Sequence, residues 1–206
     1  MPGATPNLAL PYPVAADTAD VPRDIKALAD KLDLSGAVGT ALPATPVDGQ
    51  EYFYLANASL GIVWLLRYRS GAAGAYKWDV IGGSPLYAVV ETLENTSVGA
   101  FTDLATVGPQ FNLPLAGDYM VRFGATMSQT TATFAAIAGL GVGGTFAPDN
   151  RVVINAGAAA DSAAVARATK ASAVAAGALA KLAYFVTGGS GGFSRRWLEA
   201  MPVRVG

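Results

Sequence analysis

The side chains that most often carry out catalysis near neutral pH are missing from this chain. Its 206 residues include no histidine and no cysteine. The usual general base, the commonest metal ligand and every thiolate nucleophile are therefore absent. Carboxylates and glycine-rich turns are the remaining groups that could bind or transform a ligand. The sequence predicts no cofactor.

The 15 acidic residues form no recognisable catalytic pair. Glycoside hydrolysis needs two carboxylates on opposite sides of a cleft. Most of the acids fall instead beside a predicted helix or in turns, where they keep a surface hydrated. Asp149, Asn150 and Asp161 could offer oxygens to Ca²⁺, but they lack the dense alternation of a calcium-binding loop. We predict that the chain is not an enzyme and holds no metal, and a glycan hydrolase is the alternative that an acidic pair would support.

One glycine-rich stretch, Gly139 to Gly144, matches the spacing G-x-G-x-x-G of dinucleotide-binding loops. That function requires the last glycine to open a helix whose N-terminus faces the phosphates. Here the segment from Thr145 to Asp149 follows and contains Pro148, so no helix is predicted. We interpret the stretch as the end of a strand and a turn.

The low content of charged residues is unusual for a protein whose whole surface faces water. Charged residues make up 14% of the chain, against roughly 25% in an average soluble domain. The net charge is −1, and Arg195-Arg196 is an isolated basic pair. Nucleic-acid binding is therefore disfavoured, and no uninterrupted apolar span predicts a membrane helix. We expect one of two arrangements: other subunits or larger neighbours cover much of the surface, or the surface consists of Thr, Ser, Gly and Ala as in extracellular structural proteins.

Residues 1–19 are predicted to be extended, because prolines recur and no helical period is present. A disordered tail is one interpretation, since termini are commonly disordered. An arm that orders along a partner's surface is the other, and the apolar side chains favour it. The candidate anchoring residues are Leu8, Leu10, Pro11, Tyr12, Pro13 and Val14.

Residues 20–35 are predicted to form one short helix. Asp20 suits the N-cap, and Pro22 lies in the first turn, where a missing N–H costs nothing. Spacings of four, three and four place the apolar residues Val21, Ile25, Leu28 and Leu32 along one stripe. The stripe could pack on the chain's own sheet, or it could form a coiled-coil seam between identical chains.

A linker over residues 36–46 precedes a small β module over residues 47–84. Apolar residues alternate through three predicted strands, which run from Glu51 to Leu55, from Ile62 to Arg69 and from Tyr76 to Ile81. That period of two and the turn residues between the strands predict an antiparallel meander. We expect its aromatic residues Tyr76 and Trp78, together with Trp197, to belong to the core and not to stack on sugars.

Residues 85–206 show many short strands without helices between them, which predicts an antiparallel, jelly-roll-like sandwich. The clearest strand places Tyr119, Val121, Phe123, Ala125 and Met127 on one face, and another is predicted from Thr102 to Val107. Alanine favours helix from Ala158 to Ala180. Because residues there alternate without a helical stripe, we predict a strand from Ala163 to Ser172.

Three stretches together resemble structural proteins of tailed bacteriophages. The opening LPYPVAADTADVPRDIKALADKLD is similar to the N-terminal segment of minor tail, tail-fibre and head-fibre proteins. VDGQEYFY, GIVWLLRYRSG and AYKWDVIGG resemble the small β module that follows in such proteins. PLAGDYMVRFGATM and GGSGGFSRRWLEAMPVRV resemble their C-terminal jelly-roll heads.

The resemblance implies a mainly β, homotrimeric virion protein that is assembled in the host cytoplasm. Its N-terminal arm would bind other tail or capsid proteins, its helix would align three chains, and its head would project outward. Weak contact with a bacterial cell-surface glycan would gain avidity from multiple copies. The alternative is a capsid-bound head fibre, decoration protein or baseplate protein without a receptor role. Neither nucleic acid nor membrane insertion is implied.

Overall fold

The computed structural model describes residues 3–4, 11–12, 21–35, 38–155, 157 and 161–206, and of residues 3–4, 11–12, 21 and 30–35 only the backbone. Within these ranges the chain is mainly β with a single helix, as predicted. Contacts divide it into two compact units. The first comprises Met1–Ser84 with Arg204–Gly206, and the second comprises Pro85–Val203. We expected the boundary near residue 84 but not the return of the last three residues to the first unit.

The first unit contains a helix and the predicted antiparallel meander. Its elements are β1 (Gly3–Ala4), β2 (Pro11–Tyr12), α1 (Val21–Ser35), β3 (Val38–Gly39), β4 (Glu51–Asn57), β5 (Ile62–Tyr68) and β6 (Trp78–Gly83). Strands β4, β5 and β6 pair antiparallel, and β3 adds to β4 in parallel. Alternate residues of β5, including Trp64 and Leu66, are fully buried. The Trp64 indole donates a hydrogen bond of 3.0 Å to the Ser84 carbonyl.

The second unit is built from nine strands. They are β7 (Leu86–Val90), β8 (Glu94–Thr96), β9 (Gln110–Leu113), β10 (Gly117–Gln129), β11 (Ala135–Val142), β12 (Thr145–Asn155), β13 (Asp161–Val174), β14 (Ala178–Val186) and β15 (Gly191–Val205). Strand β15 continues past Val203 into the first unit, where Arg204 and Val205 pair with β6.

These strands form two antiparallel sheets with a jelly-roll order. In one sheet, which we call the BARE sheet, β10 lies between β13 and β15, while β7 and β8 share the other edge of β15. In the other, which we call the COVERED sheet, the order is β12, β11, β14, β9. The chain repeatedly leaves one sheet for the other, as in a jelly roll. The predicted jelly-roll-like sandwich is therefore confirmed.

The core of this unit lies between the two sheets. The predicted face of β10, from Tyr119 to Met127, is buried, and so are Leu182, Tyr184 and Val186 of β14 and Phe193 and Leu198 of β15. The alanine-rich segment is a strand, as predicted, because β13 pairs with β10 from Gly117 to Gln129. Its helical alternative is wrong over Asp161–Val174.

One predicted strand is wrong, and one short strand was missed. Only Thr102 of the expected strand from Thr102 to Val107 pairs, in an isolated bridge with Tyr184, and the rest belongs to a loop over residues 97–109. The short strand β8 was not predicted, because three residues carry no readable period. The glycine-rich stretch behaves as predicted: its first part lies in β11, and Gly143 and Gly144, at φ of 60° and 85°, turn the chain into β12.

Candidate functional site

The predicted anchoring arm is only partly described. Pro11 and Tyr12 form β2, which pairs antiparallel with β1 through the partners Gly3↔Tyr12 and Ala4↔Pro11. The remaining candidate residues, which are Leu8, Leu10, Pro13 and Val14, lie outside the described residues. The role of the arm therefore stays a prediction.

The helix presents apolar side chains to solvent. Ile25 is 61% exposed and Leu28 is 36% exposed. The half-buried positions are Asp24 and Ala27, which lie on a neighbouring face of α1. Ile25 is therefore mostly exposed, while Leu28 is more covered than exposed, and α1 contacts β4 of the same unit. The side chains of Val21 and Leu32, the two other predicted seam residues, lie outside the described set.

The acidic residues are used in ion pairs and turns. Among the described residues no group of three or more Asp or Glu side chains could hold a metal ion. Asn150 Oδ1 accepts a hydrogen bond of 2.9 Å from the Thr169 hydroxyl, and Asp161 Oδ2 accepts one of 3.3 Å from the Gly157 amide. Asn150 and Asp161 thus use these side-chain oxygens in hydrogen bonds within the chain. Asp79 and Arg204 form a partly buried pair at 2.7 Å, and Asp103 and Lys181 form an exposed pair at 3.0 Å.

One ion pair in the jelly-roll unit joins a fully buried arginine to a partly buried glutamate. Arg196 of β15 is fully buried, and its Nη2 lies 3.1 Å from Glu94 Oε2 of β8. Its Nη1 donates a 3.3 Å hydrogen bond to the Thr106 carbonyl, and its guanidinium carbon lies 5.3 Å from the centre of the Tyr184 ring. The Nε donor is buried and finds no acceptor among the described residues. This role was not predicted, because in the sequence Arg195-Arg196 is only an isolated basic pair, too small to bind nucleic acid.

This ion pair fastens the loop over residues 97–109. The Thr106 amide donates hydrogen bonds of 3.0 and 3.1 Å to the Glu94 carboxylate, and the Thr106 hydroxyl donates another. The Thr106 hydroxyl lowers the pKa of Glu94 most strongly, and the Thr106 amide and Arg196 lower it further. An acid–base catalyst needs a pKa near the operating pH. The pKa of Glu94 is shifted away from that range, which indicates that Glu94 has a structural role in holding the loop.

The three aromatic residues singled out from the sequence have different environments. Trp78 is buried, as predicted, and Tyr76 is half-buried. Trp197 is half-buried on the outer face of its sheet and not in the core. A Cβ at Gly124 would lie only 2.9 Å from the Trp197 Nε1. The glycine therefore leaves the room in which the indole lies across β10.

Hydrogen bonds from Ser70 account for the position of Asp48 at one end of the meander. Asp48 accepts hydrogen bonds of 2.7 Å from the Ser70 amide and 2.9 Å from its hydroxyl, and these contacts lower the pKa of Asp48.

Of the helices in the described part of the chain, none is long and apolar enough to cross a membrane.

Comparison with known proteins shows remote similarity in shape. No protein-family model matches the chain, and no curated protein matches it. The Eiger TNF structure from S. frugiperda is similar with a TM-score of 0.43 and 12% identity over 60% of this chain and 95% of that one. The C-terminal CBM6 of LamC from Zobellia galactanivorans is similar with a TM-score of 0.31 and 13% identity, over 57% of this chain and 98% of that one. Dimeric latent PorU from Porphyromonas gingivalis is similar with a TM-score of 0.31 and 12% identity, over 67% of this chain and 14% of that one. With TM-scores this low we draw no functional conclusion from these structures.

Proposed function

We propose that this chain is a non-enzymatic structural protein of a tailed-phage virion. It assembles as a homotrimer, is anchored through its N-terminal arm, and presents the jelly-roll unit as a head. The observation that carries the proposal is the exposed apolar stripe of α1, seen at Ile25 and Leu28. The resemblance of residues 10–33 to the N-terminal segment of phage minor tail, tail-fibre and head-fibre proteins supplies the biological setting.

Burial of the stripe provides a driving force for association. Fully burying an aliphatic side chain contributes about 1.5–3 kcal/mol. Because Ile25 and Leu28 are already partly covered, roughly 2 kcal/mol per chain is available from the two together. A short helix gains stability mainly from packing of its apolar face. Association of α1 would therefore stabilise both the assembly and the helix.

The head would provide weak contacts that become useful in number. Three copies in each fibre and many fibres on each particle raise the effective concentration of any one contact. The contact we propose is with a bacterial cell-surface glycan. A decoration or baseplate protein without a receptor role would share the assembly features and lack only this binding.

Light scattering of the full chain tests the assembly. We expect a mass near three times 20.9 kDa, which is about 63 kDa. The double variant Ile25→Ser/Leu28→Ser removes the stripe and should shift the mass toward 20.9 kDa at micromolar concentration. A matched control, Arg23→Ser/Lys26→Ser, places two serines at the same spacing on exposed positions away from the stripe. A wild-type mass near one chain, or equal behaviour of both variants, would contradict the proposed seam.

Imaging of intact particles tests the setting. Gold-labelled antibody against the chain should decorate tail or head fibres of a tailed phage. Glycan arrays probed at high protein density should give binding that is lost on dilution. Blank arrays together with labelled particles would favour the decoration or baseplate role, and unlabelled particles would contradict a virion protein.

A further inference from the structure

The outer face of the COVERED sheet is shielded by the chain's own aromatic rings. Phe101, from the loop over residues 97–109, stacks on Phe146 with ring centres 5.0 Å apart and meets Phe185 edge-on at 4.7 Å. Beneath them Gly139 and Gly141 leave space, since a Cβ at either position would meet the ring of Phe101 or Phe146. As a result Ile137 and Ala183, which share this outer face, are only 5% and 2% exposed.

The outer face of the BARE sheet has no such shield from the described residues. Strand pairing places Tyr87 opposite Glu199 and Val89 opposite Trp197, and Trp197 lies across Gly124. Tyr87 is 50% exposed and Val89 is 43% exposed, and Met120 on β10 is exposed as well. We call this surface the bare face and define it by Tyr87, Val89, Met120, Gly124, Ala166 and Trp197.

The edge strand β13 extends the bare face with small apolar side chains. Its outward residues Ala164, Ala166 and Ala168 are exposed and pair with Thr126, Gly124 and Arg122 of β10. Lys170 at one end of this row and Arg167 on the opposite face supply the charges that usually protect an edge strand. Between Ala164 and Ala168, however, the outer face of β13 carries only small apolar side chains.

The charges on this outer face are already neutralised by one another. Arg122 Nη1 lies 3.3 Å from Glu199 Oε1, and Lys170 Nζ lies 2.8 Å from Asp118 Oδ2. Two basic and two acidic groups sum to zero, so an uncharged part of another head would not be repelled. A highly charged partner such as nucleic acid would find no complementary field.

We propose that the bare face is an assembly surface and that its occupant is the head of another copy of this chain. The inference rests on the proposed function, because it names where neighbouring heads touch. Small-molecule and sugar sites are usually concave, whereas in the row through Val89, Trp197, Gly124 and Ala166 the Trp197 indole fills the space above Gly124. In a trimer each contact joins two different surfaces, so the bare face would pack on another, uncharged part of the neighbouring head.

The size of the bare face explains why it would act together with α1. The bare face spans four strands, each about 4.8 Å wide, and three rows of outward residues, each about 6.8 Å long, which gives roughly 400 Å². A standard stable interface needs about 800 Å² from each partner. The bare face alone would therefore bind weakly. Once another part of the chain holds copies together, however, their heads are at an effective concentration in the millimolar range, which is sufficient.

The test compares two valines in the full chain. Val89→Arg alters the bare face, while Val153→Arg alters the COVERED sheet. Both valines lie on edge strands and are similarly exposed, at 43% and 40%. Sedimentation velocity over a dilution series should show that Val89→Arg dissociates at about tenfold higher concentration than wild type. Val153→Arg should match wild type, and equal thermal unfolding of both variants at one concentration verifies their folding.

The outcomes separate this inference from the proposed function. If Ile25→Ser/Leu28→Ser lowers the mass and Val89→Arg does not, the bare face is not an interface while the helix seam stands. If only Val89→Arg lowers it, the heads associate and the helix seam fails. A monomeric wild type would overturn both. A carbohydrate site would give a different result. Val89→Arg would leave the mass unchanged, an oligosaccharide would quench the tryptophan fluorescence of wild type, and Trp197→Phe would abolish that quenching. This outcome would overturn the inference.

Discussion

The two outer faces of the same jelly-roll unit differ in how far their apolar side chains are exposed. On the COVERED sheet a long loop brings Phe101 over Gly139, and the face becomes part of the core. On the BARE sheet Trp197 lies over Gly124 in a similar way, but Tyr87 and Val89 beside it stay exposed. The difference teaches that an apolar outer face needs a cover. One face is covered by its own chain, and we propose that a neighbouring copy covers the other.

The cover on one face depends on an anchor inside the sandwich. Thr106 lies in the same loop as Phe101, and it is tied to Glu94 and Arg196 by hydrogen bonds and an ion pair. Asp103 adds an exposed pair with Lys181 on β14. Loss of the buried anchor should therefore loosen the aromatic cover as well, whereas no similar anchor is needed on the bare face.

The largest expected effect comes from breaking this anchor. Glu94→Gln keeps the size and shape of the side chain but leaves the buried Arg196 without a counter-charge. Removing one partner of a buried pair typically costs about 3–5 kcal/mol. Urea unfolding at one protein concentration should show a loss of this order. The double variant Glu94→Leu/Arg196→Met, which removes both charges, should recover much of it, and a double variant as unstable as the single one would contradict the ion-pair explanation.

The same anchor predicts a pH dependence. Hydrogen bonds from Thr106 and the nearby Arg196 hold the pKa of Glu94 in the folded chain below its ordinary value of about 4.5. The ionised carboxylate thus stabilises the fold above the unfolded pKa, and that stability is lost as pH falls through the lower folded pKa. Between about pH 5 and about pH 3, wild type should lose more stability than Glu94→Gln. Parallel losses in the two proteins would show that Glu94 does not control acid unfolding.

A smaller effect is expected from removing the cover itself. Phe101→Ala deletes the rings' stacking and edge contacts and exposes Ile137. Because Phe101 is half-buried, the free energy of unfolding should fall by about 2 kcal/mol, less than the 3–5 kcal/mol of a fully buried Phe. Tyr87→Ala on the bare face is the comparison, and it should cost under about 1 kcal/mol in the monomer. Equal losses would remove the distinction between the two faces.

The smallest effect is expected for the ion pair on the bare face. Glu199→Gln is the same chemical change as Glu94→Gln, but Arg122 is largely exposed. Exposed pairs contribute about 0–1 kcal/mol, so unfolding in urea should shift by less than about 0.5 kcal/mol. A loss comparable to that of Glu94→Gln would mean that the Arg122–Glu199 pair is held in a far less polar setting than the exposure of Arg122 indicates.

Much of the fold could be predicted because its signal is periodic. Alternation in β5 and β10 identified strands with one buried face, and the stripe and cap predicted α1. The alternation in β13 correctly outweighed the helix propensity of alanine, since strand pairing with β10 fixes the backbone. The strand predicted from Thr102 to Val107 failed because those residues alternate without a partner along their length, and local pattern does not report pairing.

For the candidate surfaces, too, the sequence predicted only part of the result. The sequence placed Ile25 and Leu28 on one stripe, but both the chain's own sheet and another copy could have covered it. Only the three-dimensional arrangement shows that these two side chains are exposed. The bare face was not predicted, because Trp197 has the alternation expected of a core residue and only its position over Gly124 reveals which side it faces.

By itself the sequence determined the chemistry that is missing, the mainly β class and the periods of the strands, because composition and alternation are local properties of the chain. The tertiary structure decided which apolar face is covered, which arginine is buried and where the loop over residues 97–109 is fastened. Those outcomes depend on contacts such as Arg196 with Glu94, 102 residues apart. A contact between residues so distant leaves no local pattern, since it exists only once the two sheets have packed together.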